Sequence, residues 1–328
     1  MIERKNRLKL LLLQGGQSGE HEVSLNSGRM VAENLGVERY EVTICTIQKD
    51  GRWSFPDQDQ ESLPTAQALA YISEQGFGVA FIALHGSFGE DGRIQSLLES
   101  ILLPYTGSGP MASAIAMDKA ASSALLKYNG FSVPDFVSIR NGEEVIPPDL
   151  FPAIVKPCHG GSSVGISKAT NKEEANKAIE AILASGDFAI VQKLIVGREI
   201  TCGILNDEVD EPICLPPTEI IPKNSEFFDY NAKYTPGASQ EITPANLSDN
   251  ETKLVQNLAL RAHQIIGCSG MSRSDFILSG DTFYILEINT IPGLTPTSLL
   301  PQEASAAGIK FPKILDLIIQ SALNLNKN

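Results

Sequence analysis

Short apolar runs, glycine turns and longer stretches of helical spacing alternate along the chain, which is the pattern of an α/β protein. Leu8 to Leu13 is a continuous apolar run and predicts a strand buried on both faces. Gly15-Gly16 ends it, and a helix is predicted to follow to about Leu35. Val42 to Ile47 and Val79 to Leu84 predict further strands, with a helix over Arg93 to Ser100. Ala112 to Tyr128 predicts one Ala-rich helix ended by Gly130. Ala153 to Pro157 and Phe188 to Ile195 predict strands flanking a helix over Glu173 to Ser185. Amphipathic helices are predicted over Asn250 to Ile266 and Pro312 to Leu325. Pro212 to Ala245 is polar and Pro-rich and predicts a loop, too long to be idle in a compact domain.

A predicted hairpin near the C-terminal end carries the densest chemistry. Phe276 to Leu278 and Thr282 to Ile288 are strand-like runs split by Ser279-Gly280-Asp281. Alternation places Arg273, Asp275 and Ile277 on one face of the first strand, and Ile285, Glu287 and Asn289 on one face of the second. A three-residue loop sets Leu278 opposite Thr282 and Asp275 opposite Ile285. Glu287 is then diagonal to Asp275, roughly 7–8 Å away at the Cα level. A two-residue loop throws the acids onto opposite faces. On the first register two carboxylates and an amide oxygen share a face with an arginine, a hard oxygen set for Mg²⁺ beside an anion binder. A solvated edge hairpin is the plain alternative. Asn289-Thr290-Ile291-Pro292-Gly293 fixes an irregular turn directly after the carboxylates.

Composition narrows the function classes. A chain of 328 residues suits two or three domains, and 42% hydrophobic with 20% charged residues is ordinary for a globular protein. The net charge of −13 argues against nucleic acid or an anionic membrane as partner, while local lysines and glycine amides remain compatible with ATP. Five scattered cysteines without a C-x-x-C suit a reducing cytoplasm and argue against structural zinc. The Leu10–Leu13 run is too short for a signal peptide, and no segment of the sequence is predicted to span a membrane.

Two glycine-rich turns are candidate ligand sites. Gly15-Gly16-Gln17-Ser18-Gly19-Glu20 lacks the glycine spacing of a dinucleotide fingerprint. Lys156 on a predicted strand leads into Cys158-His159-Gly160-Gly161-Ser162-Ser163-Val164-Gly165, where backbone amides and a point charge suit phosphate; no G-K-[ST] closes the loop, so it is not a Walker A.

Six blocks then occur in order: G-G-x-S-x-E-x-x-V-S from Gly15, H-G-x-x-G-E-D-G from His85, V-K-P-x-x-x-G-S-S-V-G from Val155, F-D-Y-x-x-K-Y from Phe228, R-x-D from Arg273, and E-x-N-T-x-P-G-x-T-x-x-S-L from Glu287. Over nearly its whole length the chain resembles the D-alanine–D-alanine ligases of the ATP-grasp superfamily. The resemblance implies an ATP-grasp fold, two α+β subdomains gripping ATP, preceded by an N-terminal parallel-sheet (Rossmann-like) domain. The implied domains are 1–118, 119–197 and 198–328, with a lid over 222–246. It implies ligation of two D-alanine molecules through an acyl phosphate, for peptidoglycan precursor synthesis, in a cytoplasmic homodimer. ATP and two Mg²⁺ (or Mn²⁺) are the implied cofactors, with K⁺ as an optional addition.

The same resemblance implies roles for individual residues. Glu20 holds the first D-alanine's amino group, supported by His85 and Glu90. Lys119, Lys156, Ser163, Lys193, the Ile195 backbone, Glu199 and Lys233 hold ATP. Ser162 and Tyr234 close a hydrogen-bonded chain with Glu20, and Tyr234 favours the dipeptide over D-alanyl-D-lactate. Asp275, Glu287 and Asn289 are the metal set, and Arg273 is the oxyanion stabiliser, aided by the Gly293 amide. Ser298 and Leu299 bind the second carboxylate. Gly160, Gln192, Leu194 and Phe228 depart from the family's commoner residues. The alternatives are a ligase for D-lactate or another carboxylate–amine pair, and a non-catalytic nucleotide-binding regulator.

Overall fold

The computed structural model describes residues 7–56, 60–142, 144–161, 165–222 and 239–325. The Leu8 run forms β1 (Leu8–Gly15), and Leu10 to Leu13 are fully buried, as a strand covered on both faces requires. α1 (His21–Asn34), β2 (Tyr40–Ile47), β3 (Trp53–Phe55), β4 (Gln60–Leu63), α2 (Thr65–Glu74), β5 (Val79–Ile82) and α3 (Arg93–Ser100) complete the first unit. Its sheet runs β4-β3-β2-β1-β5. β1 pairs in parallel with both β2 and β5, while β3 and β4 add an antiparallel edge. The C-terminal ends of β1 and β5 therefore lie side by side, where open parallel sheets hold ligands.

The predicted single helix over 112–128 is two helices, α4 (Pro110–Met117) and α5 (Lys119–Tyr128). Asp118 breaks it by taking an extended conformation, and its carboxylate caps α5 by accepting from the Ala120 and Ala121 amides. A strong N-cap residue competes with helix continuation through its own side chain, which an alanine-rich composition conceals.

β6 (Phe136–Ile139), β7 (Ala153–Pro157), β8 (Ser167–Ala169), α6 (Lys172–Ala184) and β9 (Ala189–Lys193) form a second unit, with antiparallel sheet order β6-β9-β7-β8. Ala153, Val155, Ala189 and Val191 pack onto α6 through Ala175, Ile179 and Ile182. Alternation sends Lys156, Ile190 and Gln192 to the other face.

The third sheet contains β10 (Arg198–Asn206), β11 (Pro212–Cys214), β12 (Thr218–Pro222), β13 (Ser239–Ile242), β14 (Met271–Ser279) and β15 (Thr282–Asn289), ordered β13-β12-β10-β14-β15 with β11 beside β10. Thus the predicted loop 212–245 contains three strands. They are short, and pairing decides them: β11 and β12 pair with β10, and β13 pairs with β12. One face of this sheet buries Ile200, Cys202, Phe276, Phe283 and Ile285 against α7 (Asp249–Ile266). α7 begins with a complete capping box between Ser248 and Glu251 and ends at Gly267, in the left-handed region at φ +81°. α8 (Leu299–Ala306) and α9 (Phe311–Leu325) follow. Ile314, Leu315 and Ile318 of α9 join the core around β1 and β5, and Asp316 accepts from the Tyr40 hydroxyl at 2.8 Å. The end of the chain thereby ties the third sheet to the first unit.

No helix among the described residues is long and apolar enough to cross a membrane.

Candidate active site

The β14–β15 hairpin differs from the register expected for it. Ser279 pairs with Thr282, so the loop has two residues, Gly280-Asp281. Gly280 lies at φ +58°, in the first loop position where a two-residue hairpin favours glycine. That register alone would put the acids on opposite faces. A β-bulge corrects it: Phe276 pairs with Ile285, then Asp275 with Glu287, leaving Leu286 as the extra residue. Asp275 and Glu287 are therefore directly opposed, not diagonal, and Arg273 is opposed to Asn289.

Across the neighbouring strand the same face continues. Thr201 pairs with Asp275 and Gly203 with Arg273, while Glu199 sits opposite Ile277. The Asp275 carboxylate accepts from Thr201 Oγ1 at 2.8 Å, and from Arg273 Nε and Nη2, each at 2.8 Å. Asn289 Nδ2 reaches it at 3.3 Å. The ion pair is almost buried, so removing one partner would cost about 3–5 kcal/mol. Burial would lower the Arg273 pKa, but the Asp275 carboxylate outweighs it and keeps the guanidinium fully charged.

Lys119 joins this face to the glycine-rich loop. Because Asp118 interrupts the helix, Lys119 is the first residue of α5 and its amide donates to the Cys158 carbonyl at 3.0 Å. Its Nζ donates to the Gly160 carbonyl at 2.5 Å and stands 3.8 Å from Glu287 Oε2. Lys156 is buried on β7, on the face shared with Gln192. On that face Ser138 Oγ and Gln192 Nε2 are buried without a hydrogen-bond partner among the described residues. Buried polar atoms left this way call for a polar ligand or water. Lys193 is exposed at the end of β9, and Ile195 lies in the connection to β10.

Glu20 heads α1 at the end of the first glycine turn. Its carboxylate lies between two glycines: a methyl at Gly86 would stand 2.5 Å from Glu20 Oε2, and one at Gly161 3.0 Å from it. His85 Nε2 shares a hydrogen bond with Ser27 Oγ at 2.8 Å, and its carbonyl accepts from Ser18 Oγ at 2.7 Å. The Gly86 amide donates to Glu90 at 2.7 Å. Burial, reinforced by Glu20, pushes the Glu90 carboxyl up to about 8. Burial holds His85 below its ordinary value, opposed by Glu20 and the Ile291 backbone. Ile291 also reaches Glu90, so the turn after β15 closes over the His85–Glu90 pair.

That turn continues to Gly293, where a methyl would stand 2.8 Å from Ser298 Oγ. Ser298 stands at the residue before α8 without a side-chain cap to the helix, its Oγ instead accepting from the Thr295 amide at 3.2 Å; Leu299 is the first residue of that helix. A helix start favours a carboxylate. Ser162, Ser163, Lys233 and Tyr234 lie outside the described residues.

Thr201 and Glu303 were not singled out from sequence. Only register brings Thr201 to Asp275. Glu303, on α8, is fully buried over Gly203, where a methyl would meet its Oε2 at 2.5 Å. Among the described residues neither Glu303 oxygen completes a hydrogen bond of good geometry.

The family model for the D-alanine–D-alanine ligase C-terminus matches residues 119–320, and the N-terminal model matches 9–75 and 69–108. The chain belongs to the D-alanine–D-alanine ligase family. A D-alanine–D-alanine ligase of Syntrophobacter fumaroxidans is 45% identical over 97% of this chain and 98% of its own. Among solved structures, the Bacillus anthracis ligase complexed with ATP is 33% identical, with a TM-score of 0.82, covering 98% of this chain and 99% of that one. A D-Ala:D-Ser ligase of Enterococcus faecalis, VanG, also superposes with a TM-score of 0.82 at 30% identity, covering 97% of this chain and 100% of its own. The fold is accordingly ATP-grasp with an N-terminal parallel-sheet domain.

Proposed function

We propose that the chain joins two D-alanine molecules into D-alanyl-D-alanine at the expense of ATP, releasing ADP and phosphate. The observation that carries this reading is the convergence of the opposed Asp275–Glu287 pair, Arg273 and Lys119 on one face, beside the glycine-rich loop. ATP phosphorylates the first D-alanine carboxylate. The second substrate's amine then attacks the acyl phosphate carbonyl, forming the C–N bond as phosphate leaves. Such chemistry needs positioning and charge neutralisation, and no protein nucleophile.

Glu20 receives the first ammonium group, in a pocket that the Gly86 and Gly161 backbones keep small. Lys119 and Lys156 take phosphate oxygens, while Glu199 takes the ribose and Lys193 with the Ile195 backbone takes the adenine. The unpartnered Ser138 and Gln192 groups suit the polar edges of a nucleotide. Arg273 stabilises the oxyanion of the tetrahedral intermediate, with the Gly293 amide beside it. Ser298 and the start of α8 at Leu299 receive the second carboxylate. Ser162, Ser163, Lys233 and Tyr234 complete the set in this reading.

Asp275, Glu287 and Asn289 present only oxygen ligands on one face, a donor set suited to Mg²⁺ or Mn²⁺. Two such ions, when bound, neutralise the phosphate charge that the carboxylates would otherwise repel. The domain limits 1–118, 119–197 and 198–328, the lid over 222–246, a cytoplasmic homodimer supplying peptidoglycan precursor, and K⁺ as an optional activator belong to the same proposal.

Phosphate release from Mg-ATP tests the reading with D-alanine, L-alanine, or D-alanine plus D-lactate, with products identified by mass. D-alanine-dependent release with dipeptide formed supports it. Release dependent on D-lactate would reassign the second substrate, and ATP binding without turnover would favour a regulator.

A further inference from the structure

We propose that Asp118, Cys158 and His159 form a mononuclear site for a borderline divalent cation of the Zn²⁺ class, with Asp187 orienting the imidazole. The carboxylate, thiol and imidazole donor atoms all lie within 4.8 Å of one another. Cys158 Sγ is 3.1 Å from Asp118 Oδ1, and His159 Nε2 is 3.5 Å from Asp118 Oδ2. With metal–ligand bonds of about 2.0–2.3 Å, a tetrahedral centre separates its donors by roughly 3.3–3.7 Å, so small side-chain adjustments close the site.

The division of labour within Asp118 leaves a ligand available. Oδ1 caps α5 by accepting from the Ala120 and Ala121 amides and also accepts from the Cys158 thiol at 3.1 Å, while Oδ2 faces the imidazole. The imidazole is oriented as metal-ligating histidines are. Its Nδ1 is 2.7 Å from Asp187 Oδ1, and the His159 amide donates to Asp187 Oδ2 at 3.1 Å. With Nδ1–H donating to Asp187, Nε2 carries the lone pair that points at Asp118, the carboxylate–histidine–metal arrangement. Cys158 is buried and His159 partly exposed, so an ion can enter from the imidazole side. Oxygen, sulfur and nitrogen from three residues leave a fourth position for water. On binding, the Cys158 thiol gives its proton to solvent as the sulfur–metal bond forms, so charge balances at Asp⁻, Cys⁻ and M²⁺.

The absence of a C-x-x-C argued against zinc, but that spacing rule describes ligands adjacent in sequence. Here Asp118 arrives from the break between α4 and α5, and the pair Cys158-His159 from the end of β7. Occupancy would tie the start of the glycine-rich loop to the first turn of α5, next to Lys119.

Co²⁺ titration of the full, chelator-stripped chain, without nucleotide or Mg²⁺, tests the site. The expected result is a sulfur-to-cobalt charge-transfer absorption that saturates at one equivalent and that Zn²⁺ displaces. Cys158→Ser should abolish the absorption. His159→Ala, at a partly exposed position that tolerates truncation, should weaken Co²⁺ affinity at least tenfold. Asp187→Asn should weaken it by about 10–100-fold. No absorption in the unaltered chain overturns the proposal. So does an absorption that survives Cys158→Ser, or an affinity unmoved by His159→Ala. The Asp275–Glu287–Asn289 face offers no sulfur and cannot produce the signal, so the outcome is independent of the ligase reading.

Discussion

Asp275 and Glu287 face each other across the β14–β15 ladder because Leu286 is inserted as a bulge between Ile285 and Glu287. Without it, the two-residue Gly280-Asp281 loop would leave one acid on the α7 side of the sheet, in the apolar core. Arg273 lies on the Asp275 carboxylate and Lys119 is 3.8 Å from Glu287, and in the proposed reading a divalent cation held by both acids adds to that neutralisation. Glu287→Gln keeps shape and should fold normally, whereas Asp275→Asn strips the charge from the nearly buried Arg273 pair and should also lose up to about 3–5 kcal/mol of stability. Both should lower kcat/KM by about 10²–10³-fold. Initial rates measured across a Mg²⁺ series check this; an unchanged Mg²⁺ dependence in either variant would count against the metal face.

Gly86 lies at φ +69°, and an added methyl would stand 2.5 Å from Glu20 Oε2. Gly86→Ala should therefore displace the Glu20 carboxylate as well as strain the backbone by about 1–2 kcal/mol. The KM for D-alanine should rise about tenfold, corresponding to about 1.4 kcal/mol of binding. The KM for ATP, whose groups lie on other elements, should hold. Parallel titrations of the two substrates separate these outcomes.

Asp118 ends α4 and caps α5, and so sets where Lys119 begins its helix. Asp118→Ala should cost about 1 kcal/mol of stability and raise the KM for ATP as Lys119 loses its anchored backbone. Asp118→Ser retains a cap and should restore most of the stability. Thermal melting and ATP titration of both variants provide the comparison.

Glu303 is fully buried, and burial pushes its carboxyl from the ordinary 4.5 up to about 8, against Arg273. A raised carboxyl pKa means that the native state holds the proton more tightly than the unfolded chain. Its contribution is complete below pH about 4.5 and is lost as pH rises towards about 8. Glu303→Gln removes this titration. The stability of the parent relative to Glu303→Gln should fall between pH 5 and 8 and level off above that, measured by urea unfolding at several pH values. A difference independent of pH would show that Glu303 is ionised throughout.

The sequence by itself determined most of the element order and the chemistry it carries. The Leu8 run, the paired glycine turns and the R-x-D and E-x-N blocks are local signals, because apolar period, glycine turns and closely spaced ligands are all written within a few residues. The strand limits of β1, β2, β7 and β15 fall near their predicted places for that reason. Tertiary structure decided what depends on pairing between distant residues. The bulge at Leu286 follows from having to bury Phe283, Ile285 and Ile288 on α7 while keeping Glu287 with Asp275, a conflict no single strand displays. β11, β12 and β13 exist because β10 pairs with them or through them, and short sequences carry little strand signal alone. The break at Asp118 balances a side-chain cap against helix continuation, and the capped arrangement also meets the Cys158 carbonyl. The grouping of Asp118, Cys158, His159 and Asp187 has no sequence pattern, since three separate backbone segments bring those atoms within reach of one another.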